Sequence, residues 1–344
     1  MPSARPINPY PAPRRWMLIL PAAVMLAAAI LLPPRAAQAQ PPQPDLPAAD
    51  EQLAPALPDE ELPETAVIES ILPDLSLVDP PATNESEPDA TPVVVVKDGE
   101  SSSGGTVYFR NETDYAIDTA AMLKSPCPVS LGKSGVQVLI MHTHGTEAYT
   151  QTKANPYTES DPYRTTDSQH NMLRVGQEIT DILNSRGIST VHSTTLNDYP
   201  AYNGCYTRAL TDIKSYVEKY PSIRVIIDVH RDALSTGTTA YKTVANVNGQ
   251  QTAQLLFVTG TNAGGLTHDN WRQNMTYQVQ LHDLLNTLYP GIMRPMSVRK
   301  GRFNEHVRTG SMLLEVGTNG NTLEEALAAA RIFANVLADQ LLGE

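Results

Sequence analysis

The chain has little cysteine: Cys127 and Cys205 are the only two in 344 residues. Two thiols cannot build a cysteine-rich zinc site. They leave two readings open, a single disulfide outside the cytoplasm or two small core residues. A surplus of base is also missing. Residues 1–40 hold four arginines and no acid, and residues 41–100 hold fifteen acids against one lysine. Of the net charge of −12, residues 101–344 therefore carry only −2. A near-neutral folded part gives no electrostatic ground for nucleic-acid binding, which uses basic patches. There is no G-x-S-x-G elbow, and Ser311 precedes a strand pattern rather than a helix, which argues against a serine nucleophile. No G-x-G-x-x-G or phosphate-binding loop occurs, and Gly264-Gly265 is too short a signal to stand for one.

The N-terminal third is dominated by targeting and tether signals. Arg14 and Arg15 precede an apolar run from Trp16 to Leu32, about the minimum length for crossing a bilayer. Basic residues on the amino side place that end in the cytoplasm. The run reads as a membrane anchor, with everything after Leu32 outside. The alternative is a signal peptide removed at Ala37-Gln38-Ala39. Both readings put the remainder of the chain outside the cytoplasm, membrane-attached in the first case and secreted in the second. Residues 33–104 are rich in Pro, Ala, Asp and Glu, a composition that cannot bury enough apolar surface to offset its ordering entropy. They read as a disordered, self-repelling linker. Within it, Leu62–Leu77 is residual apolar content or a short partner-binding segment. Residues 105–344 remain, enough chain for one well-cored domain.

That domain reads as α/β. Short apolar strands fall at Val136–Met141, Ile188–His192, Ile223–Val229, Leu255–Thr259 and Met312–Val316. Helical spacing occupies Asn171–Asn184, Tyr206–Tyr220 and Trp271–Tyr289. A last helix, capped by Asn321 or Thr322, runs to about Leu341 with Glu324 and Glu325 in its first turn. Alternating strands and helices predict a single domain with a mostly parallel central sheet flanked by helices. In such sheets, sites form at the carboxyl ends of strands.

Three predicted strands end in residues able to do chemistry. The first runs into His142-Thr143-His144-Gly145-Thr146-Glu147, the second into Asp228-Val229-His230-Arg231-Asp232, and the third ends at Glu315. On one edge of a parallel sheet these sets converge, and two imidazoles with a carboxylate suit zinc with an open position for water. His142 and His144 cannot share one face of a regular strand. His144, beyond the strand end, is the better ligand, with His230 as its partner. A buried glutamate without a partner is costly, so Glu315 reads as a site residue acting as general acid and base. The third ligand stays open among His142, Glu147, Asp167 and His170. The last two serve equally well as residues at the start of a helix.

With those residues quoted, the chain resembles the stage II sporulation protein P family. The resemblance covers roughly residues 105–341. It runs through Val138–Tyr149 (VLIMHTHGTEAY), Asn171–Gly176, Ile227–Ala233 (IDVHRDA), Val258–Asn262, Asn270–Asn274, Leu313–Gly317 (LLEVG) and Asn321–Ala326. It implies the zinc-dependent N-acetylmuramoyl-L-alanine amidase fold. It also implies a hydrolase cutting the amide between N-acetylmuramic acid and L-alanine of the peptidoglycan stem peptide, with endopeptidase activity in addition, during engulfment. By the same resemblance, stage II sporulation proteins D and M are expected partners. His144 and His230 carry over as zinc ligands and Glu315 as the catalytic residue. Those amidases take a further ligand from a helix glutamate, where this chain offers Asp167, His170 and Asn171. Arg231 and Asp232, which follow the second histidine, are expected either to orient it or to bind substrate, and further substrate contacts are expected from Asn262, Trp271, Arg272 and Asn274. The rival readings are a zinc peptidase on other peptides and a non-catalytic wall-binding or scaffold module.

Overall fold

The computed structural model describes residues 93–94, 100–101, 107–236 and 238–344. The expected anchor or signal, and most of the expected linker, lie outside the described residues. Among the described residues, no helix is long and apolar enough to cross a membrane.

Among the described residues, thirteen strands and five α-helices follow in order. They are β1 (Val93–Val94), β2 (Glu100–Ser101), β3 (Tyr108–Asn111), α1 (Thr119–Lys124), β4 (Val138–Met141), α2 (Met172–Ser185), β5 (Thr190–His192), α3 (Cys205–Lys219) and β6 (Val225–Asp232). Then come β7 (Ser235–Thr236), β8 (Thr239–Ala240), β9 (Lys242–Val247), β10 (Gln250–Ala253), β11 (Leu255–Gly260), α4 (Trp271–Leu288), β12 (Met296–Arg299), β13 (Ser311–Thr318) and α5 (Leu323–Leu342). The central sheet has the order β2-β3-β12-β11-β13-β6-β4-β5. Strands β1 and β2 fall inside the stretch that composition assigned to the linker, so paired chain begins earlier than residue 105.

The sheet is two parallel blocks of opposite direction, with β2 added antiparallel to β3 at one edge. Strands β13, β6, β4 and β5 run together, as do β3, β12 and β11, and the blocks meet at an antiparallel β11–β13 pair. The predicted sheet is thus mostly parallel, but the β11 strand is reversed relative to the three site-bearing strands. That reversal decides where several expected site residues fall.

Alternation along the strands sorts the side chains. Val225, Ile227 and Val229 of β6 and Met312, Leu314 and Val316 of β13 enter the main core with apolar residues of α2, α4 and α5. The intervening Ile226 joins a smaller core with Leu139, Met141 and residues Ala209 and Ile213 of α3. Helices cover both faces, which is why β4, β6, β11 and β13 are buried along their whole length. Asn171 caps α2 by accepting from Leu173 N, and a reciprocal Thr322–Glu325 capping box starts α5. The sequence reading placed both starts within a residue.

His142 keeps the phase of Val138 and Ile140 and turns toward α2. Its Nδ1 lies 2.9 Å from the Val229 carbonyl and its Nε2 2.9 Å from His192 Nε2. Burial pushes its pKa down to about 4, partly offset by that carbonyl. Gly176 of α2 makes room for this pair, because a Cβ there would sit 2.5 Å from His142 Nε2. Gly176→Ala is therefore expected to destabilise the domain by about 1–3 kcal/mol through overpacking, despite alanine's better helix propensity. A thermal melt of the variant beside the parent chain checks this.

Candidate metal centre

The β4 strand ends at Met141, and the chain then leaves the sheet through His142-Thr143-His144-Gly145. A turn closed by Glu147 N donating to the His144 carbonyl (3.2 Å) throws the His144 and Glu147 side chains to the same side. Nδ1 of His144 lies 3.4 Å from Glu147 Oε1. On β6, Asp228 and His230 share a face by the two-residue period. His230 Nδ1 approaches Glu147 Oε2 at 3.6 Å. His144, Glu147 and His230 thus present donor atoms within 4.8 Å of one another, the one such group of three or more among the described residues.

Glu315 is the direct register partner of His230 in the parallel β13–β6 pair, which places both side chains on one face. It is buried, and its Oε2 has no hydrogen-bond partner among the described residues. Burial raises its pKa to about 8, although His230 nearby pulls it down. Burial also pushes on Glu147, but Arg231 and the imidazoles of His144 and His230 hold its carboxyl well below the usual range. The same sheet edge therefore carries one carboxylate held ionised and one carboxyl held protonated.

The donor set fits a zinc ion. Bonds of about 2.0–2.2 Å in a tetrahedron put donors roughly 3.3–3.6 Å apart, and the three side chains offer ligand atoms within 4.8 Å of one another. Two imidazoles and a carboxylate leave a fourth position for water. Of the four candidates for the third donor, the structure brings Glu147 alone to the two imidazoles. His142 is turned to the opposite face. Asp167 and His170 pair with each other at 2.9 Å, and Asp167 accepts from Gln169 N beside the start of α2.

A supporting layer was not read from the sequence. Asp228 Oδ1 lies 2.8 Å from His230 Nε2, a charge contact whose angles are not those of a hydrogen bond. Asp228 is itself held by Thr143 N (2.8 Å) and Thr143 Oγ1 (2.6 Å). An acid inside the apolar run Val225–Val229 is the same signal that singled out Glu315, so Asp228 was findable. His144 is clamped by a neighbourhood the sequence does not announce. Tyr202 stacks on it at 5.0 Å, Tyr206 meets its edge at 5.7 Å, and Cys205 Sγ sits 3.4 Å from its Nε2. Cys205 is buried, Cys127 is exposed, and no disulfide joins them. Arg164 lies over the Tyr202 ring, pairs with Asp198 at 2.6 Å and reaches Glu147 at 3.4 Å.

The residues expected to contact substrate are each engaged within the fold. Arg231 is buried and spends its guanidinium on the Ala148 (2.9 Å) and Tyr163 (3.0 Å) carbonyls, which fixes the loop carrying Glu147. Asp232 is buried in an ion pair with Arg294 at 2.7 Å. The other four lie at the far edge of the sheet, because β11 runs against β13. Val258 stands opposite Leu313, near the amino end of β13, while Leu256 stands opposite Glu315. Asn262 accepts from Tyr115 OH, Trp271 stacks on Tyr115, and Arg272 covers Trp271 at 4.3 Å. Asn274 is buried between the Glu305 carbonyl and Gly310 N. These residues build the scaffold away from the metal cluster.

An α/β domain with a His–Glu–His donor cluster and an unpartnered buried glutamate at its strand ends defines the class: a protein with a candidate metal centre of hydrolytic type. The chain belongs to the stage II sporulation protein P family, whose sequence profile matches residues 78–338. It is 29% identical over 227 residues to stage II sporulation protein P of Bacillus subtilis (strain 168), an alignment covering 63% of this chain and 53% of that protein. The chain thus spans about half the length of that curated relative. Among solved structures it is similar to N-acetylmuramoyl-L-alanine amidase AmiC2 of Nostoc punctiforme, at 13% identity and a TM-score of 0.33, covering 62% of this chain and 98% of that one. It is also similar to the amidase Ami1 of Mycobacterium smegmatis, at 14% identity and a TM-score of 0.37, covering 61% and 99%. At scores and identities this low, no residue role is transferred from them.

Proposed function

We propose that this chain is a zinc-dependent peptidoglycan hydrolase of sporulation that cuts the amide between N-acetylmuramic acid and L-alanine. One observation carries the reading: the His144–Glu147–His230 donors converge beside the partnerless carboxyl of Glu315. Bound there, zinc would supply an activated water and polarise the scissile carbonyl. Glu315, as a carboxylate, takes a proton from the attacking water. The oxygen of that water bonds to the carbonyl carbon of the muramoyl lactyl group. The carbon–nitrogen bond then breaks, and Glu315 returns its proton to the amine of L-alanine as it leaves. Arg231 and the two imidazoles hold Glu147 ionised, Arg164 reaches it at 3.4 Å, and Asp228 fixes the orientation of His230, as outer carboxylates do for liganding imidazoles.

A divalent ion beside Glu315 also resolves the high pKa of the metal-free site, since a local cation favours the carboxylate. The apolar run Trp16–Leu32 supports placing the enzyme outside the cytoplasm, tethered to the membrane or secreted. Membership of the family supports peptidoglycan as substrate and stage II sporulation proteins D and M as partners. The test is mass spectrometry of purified peptidoglycan after incubation with the full chain, with zinc or with chelator. Intact stem peptides released with zinc and not with chelator are expected. Products cut within the peptide would replace the amidase by an endopeptidase. No products from the folded, zinc-loaded chain would leave a wall-binding module.

A further inference from the structure

The amino end of α3 is built around His144. Gly204 takes the left-handed backbone at φ +79°, which turns the chain into the helix, and Cys205 is the first helical residue. Cys205 is fully buried and His144 is 8% exposed. The tyrosines on either side of this turn grip the imidazole. Tyr202 stacks on it with ring centres 5.0 Å apart, and Tyr206 meets it edge-on at 5.7 Å. From this helix end it is the sulfur that reaches a ring nitrogen, with Cys205 Sγ 3.4 Å from His144 Nε2.

The two nitrogens of that ring have different neighbours. Nδ1 lies 3.4 Å from Glu147 Oε1, on the side of the donor cluster, while Nε2 faces Cys205. A neutral imidazole carries one hydrogen and one lone pair. When Nδ1 gives its lone pair to a metal ion, the hydrogen sits on Nε2, and a buried N–H without an acceptor is costly. A cysteine sulfur accepts hydrogen bonds, weakly, and this one lies at hydrogen-bond distance for sulfur. In this arrangement Cys205 is not itself a donor to the ion, because it stands at the opposite nitrogen of the ring.

His230 repeats the pattern on β6. Its Nδ1 faces Glu147 Oε2, and Asp228 Oδ1 stands 2.8 Å from its Nε2. Liganding imidazoles usually have such an outer partner, which fixes the tautomer and the ring orientation. For His230 that partner is a carboxylate; for His144 the atom in the same place is sulfur. We propose that Cys205 is a positioning residue of the metal centre: its sulfur accepts the Nε2 hydrogen of His144 and so holds Nδ1 toward the ion. Neither sequence reading of this cysteine, a disulfide or a small core residue, contains that role. The inference rests on the reading of His144 as a metal ligand, and its test reads metal affinity rather than hydrolysis.

The test is the zinc affinity of the full chain and its variants, measured by competition with a chromogenic chelator under reducing conditions. Cys205→Ser keeps an acceptor and is expected to bind zinc much as the parent does. Cys205→Val fills the space without an acceptor and is expected to bind about 10–100-fold more weakly, the usual loss for an outer partner. A packing role alone gives the reverse order, since valine suits a buried apolar place better than a hydroxyl does. Should Cys205→Val fold poorly in a melt taken in chelator, Cys205→Ala takes its place with the same loss expected. The cobalt-loaded parent is expected to show no sulfur-to-metal charge-transfer band, because the sulfur is not a ligand. Affinity unchanged in a folded Cys205→Val or Cys205→Ala chain overturns the assignment, as does Cys205→Ser binding as weakly as Cys205→Val. A charge-transfer band overturns it too, by making Cys205 a ligand. Each of these outcomes leaves the hydrolase reading standing, whereas a parent chain that binds no zinc removes the metal centre and both readings with it.

Discussion

Replacing Glu315 by glutamine is expected to lower the hydrolytic rate roughly a thousandfold, the usual scale for a positioned acid–base group, while the chain still binds zinc. Glutamine keeps the shape and removes the ionisable oxygen. The same change is expected to stabilise the metal-free protein. Folding buries Glu315 and raises its pKa to about 8 from an ordinary 4.5. The folded state then holds a proton that the unfolded state gives up, so stability is lost as pH rises from the unfolded value toward 8. At neutral pH that loss is roughly 3 kcal/mol. Melting curves of the parent and Glu315→Gln chains in chelator should diverge between pH 5 and 8, with the variant higher. Parallel curves would place Glu315 in a wetter or better-paired setting than the β13–β6 register gives it. A fully active variant would remove it from the chemistry.

The second large effect is the loss of a donor. His230→Ala is expected to abolish tight zinc binding and with it all hydrolysis. Measured by competition with a chromogenic chelator, the affinity loss should exceed the roughly 10–100-fold that follows removal of an outer partner. Asp228→Asn supplies that comparison, because it keeps the contact to His230 Nε2 in shape but removes its charge. Glu147→Gln should behave like His230→Ala. Asp167→Asn and His170→Ala should leave zinc affinity unchanged, since that pair sits by itself beside α2. If the Asp167 and His170 variants lost zinc and Glu147→Gln did not, the donor set drawn from the geometry would be wrong.

Much of the site was legible because strand ends are a strong local signal. Apolar runs that stop abruptly at His142, at His230 and around Glu315 say which residues stand at the sheet edge. Burial of a lone acid is costly enough to mark Glu315 from sequence, and the same logic reaches Asp228. Choosing Glu147 from four candidates was not local. It needed the turn that brings Glu147 N to the His144 carbonyl, and the Arg231 backbone N–H and Arg164 guanidinium that hold the carboxylate in place.

The sequence by itself determined the alternation of strands and helices, the capped starts of α2 and α5, and the strand ends at which His144, His230 and Glu315 stand. These follow from periods of 2 and 3.6 residues and from cap chemistry, all written within a few neighbours. Only the tertiary structure decided strand direction. A buried strand reads the same whether it runs with or against its neighbour, so nothing in Leu255–Gly260 announced that β11 opposes β13. That one reversal carried Asn262, Trp271, Arg272 and Asn274 to the far edge. It also left the candidate metal cluster to be assembled from the ends of β4 and β6, with His144 and His230 brought to a ring distance of 4.9 Å across 86 positions of chain, which no local pattern encodes.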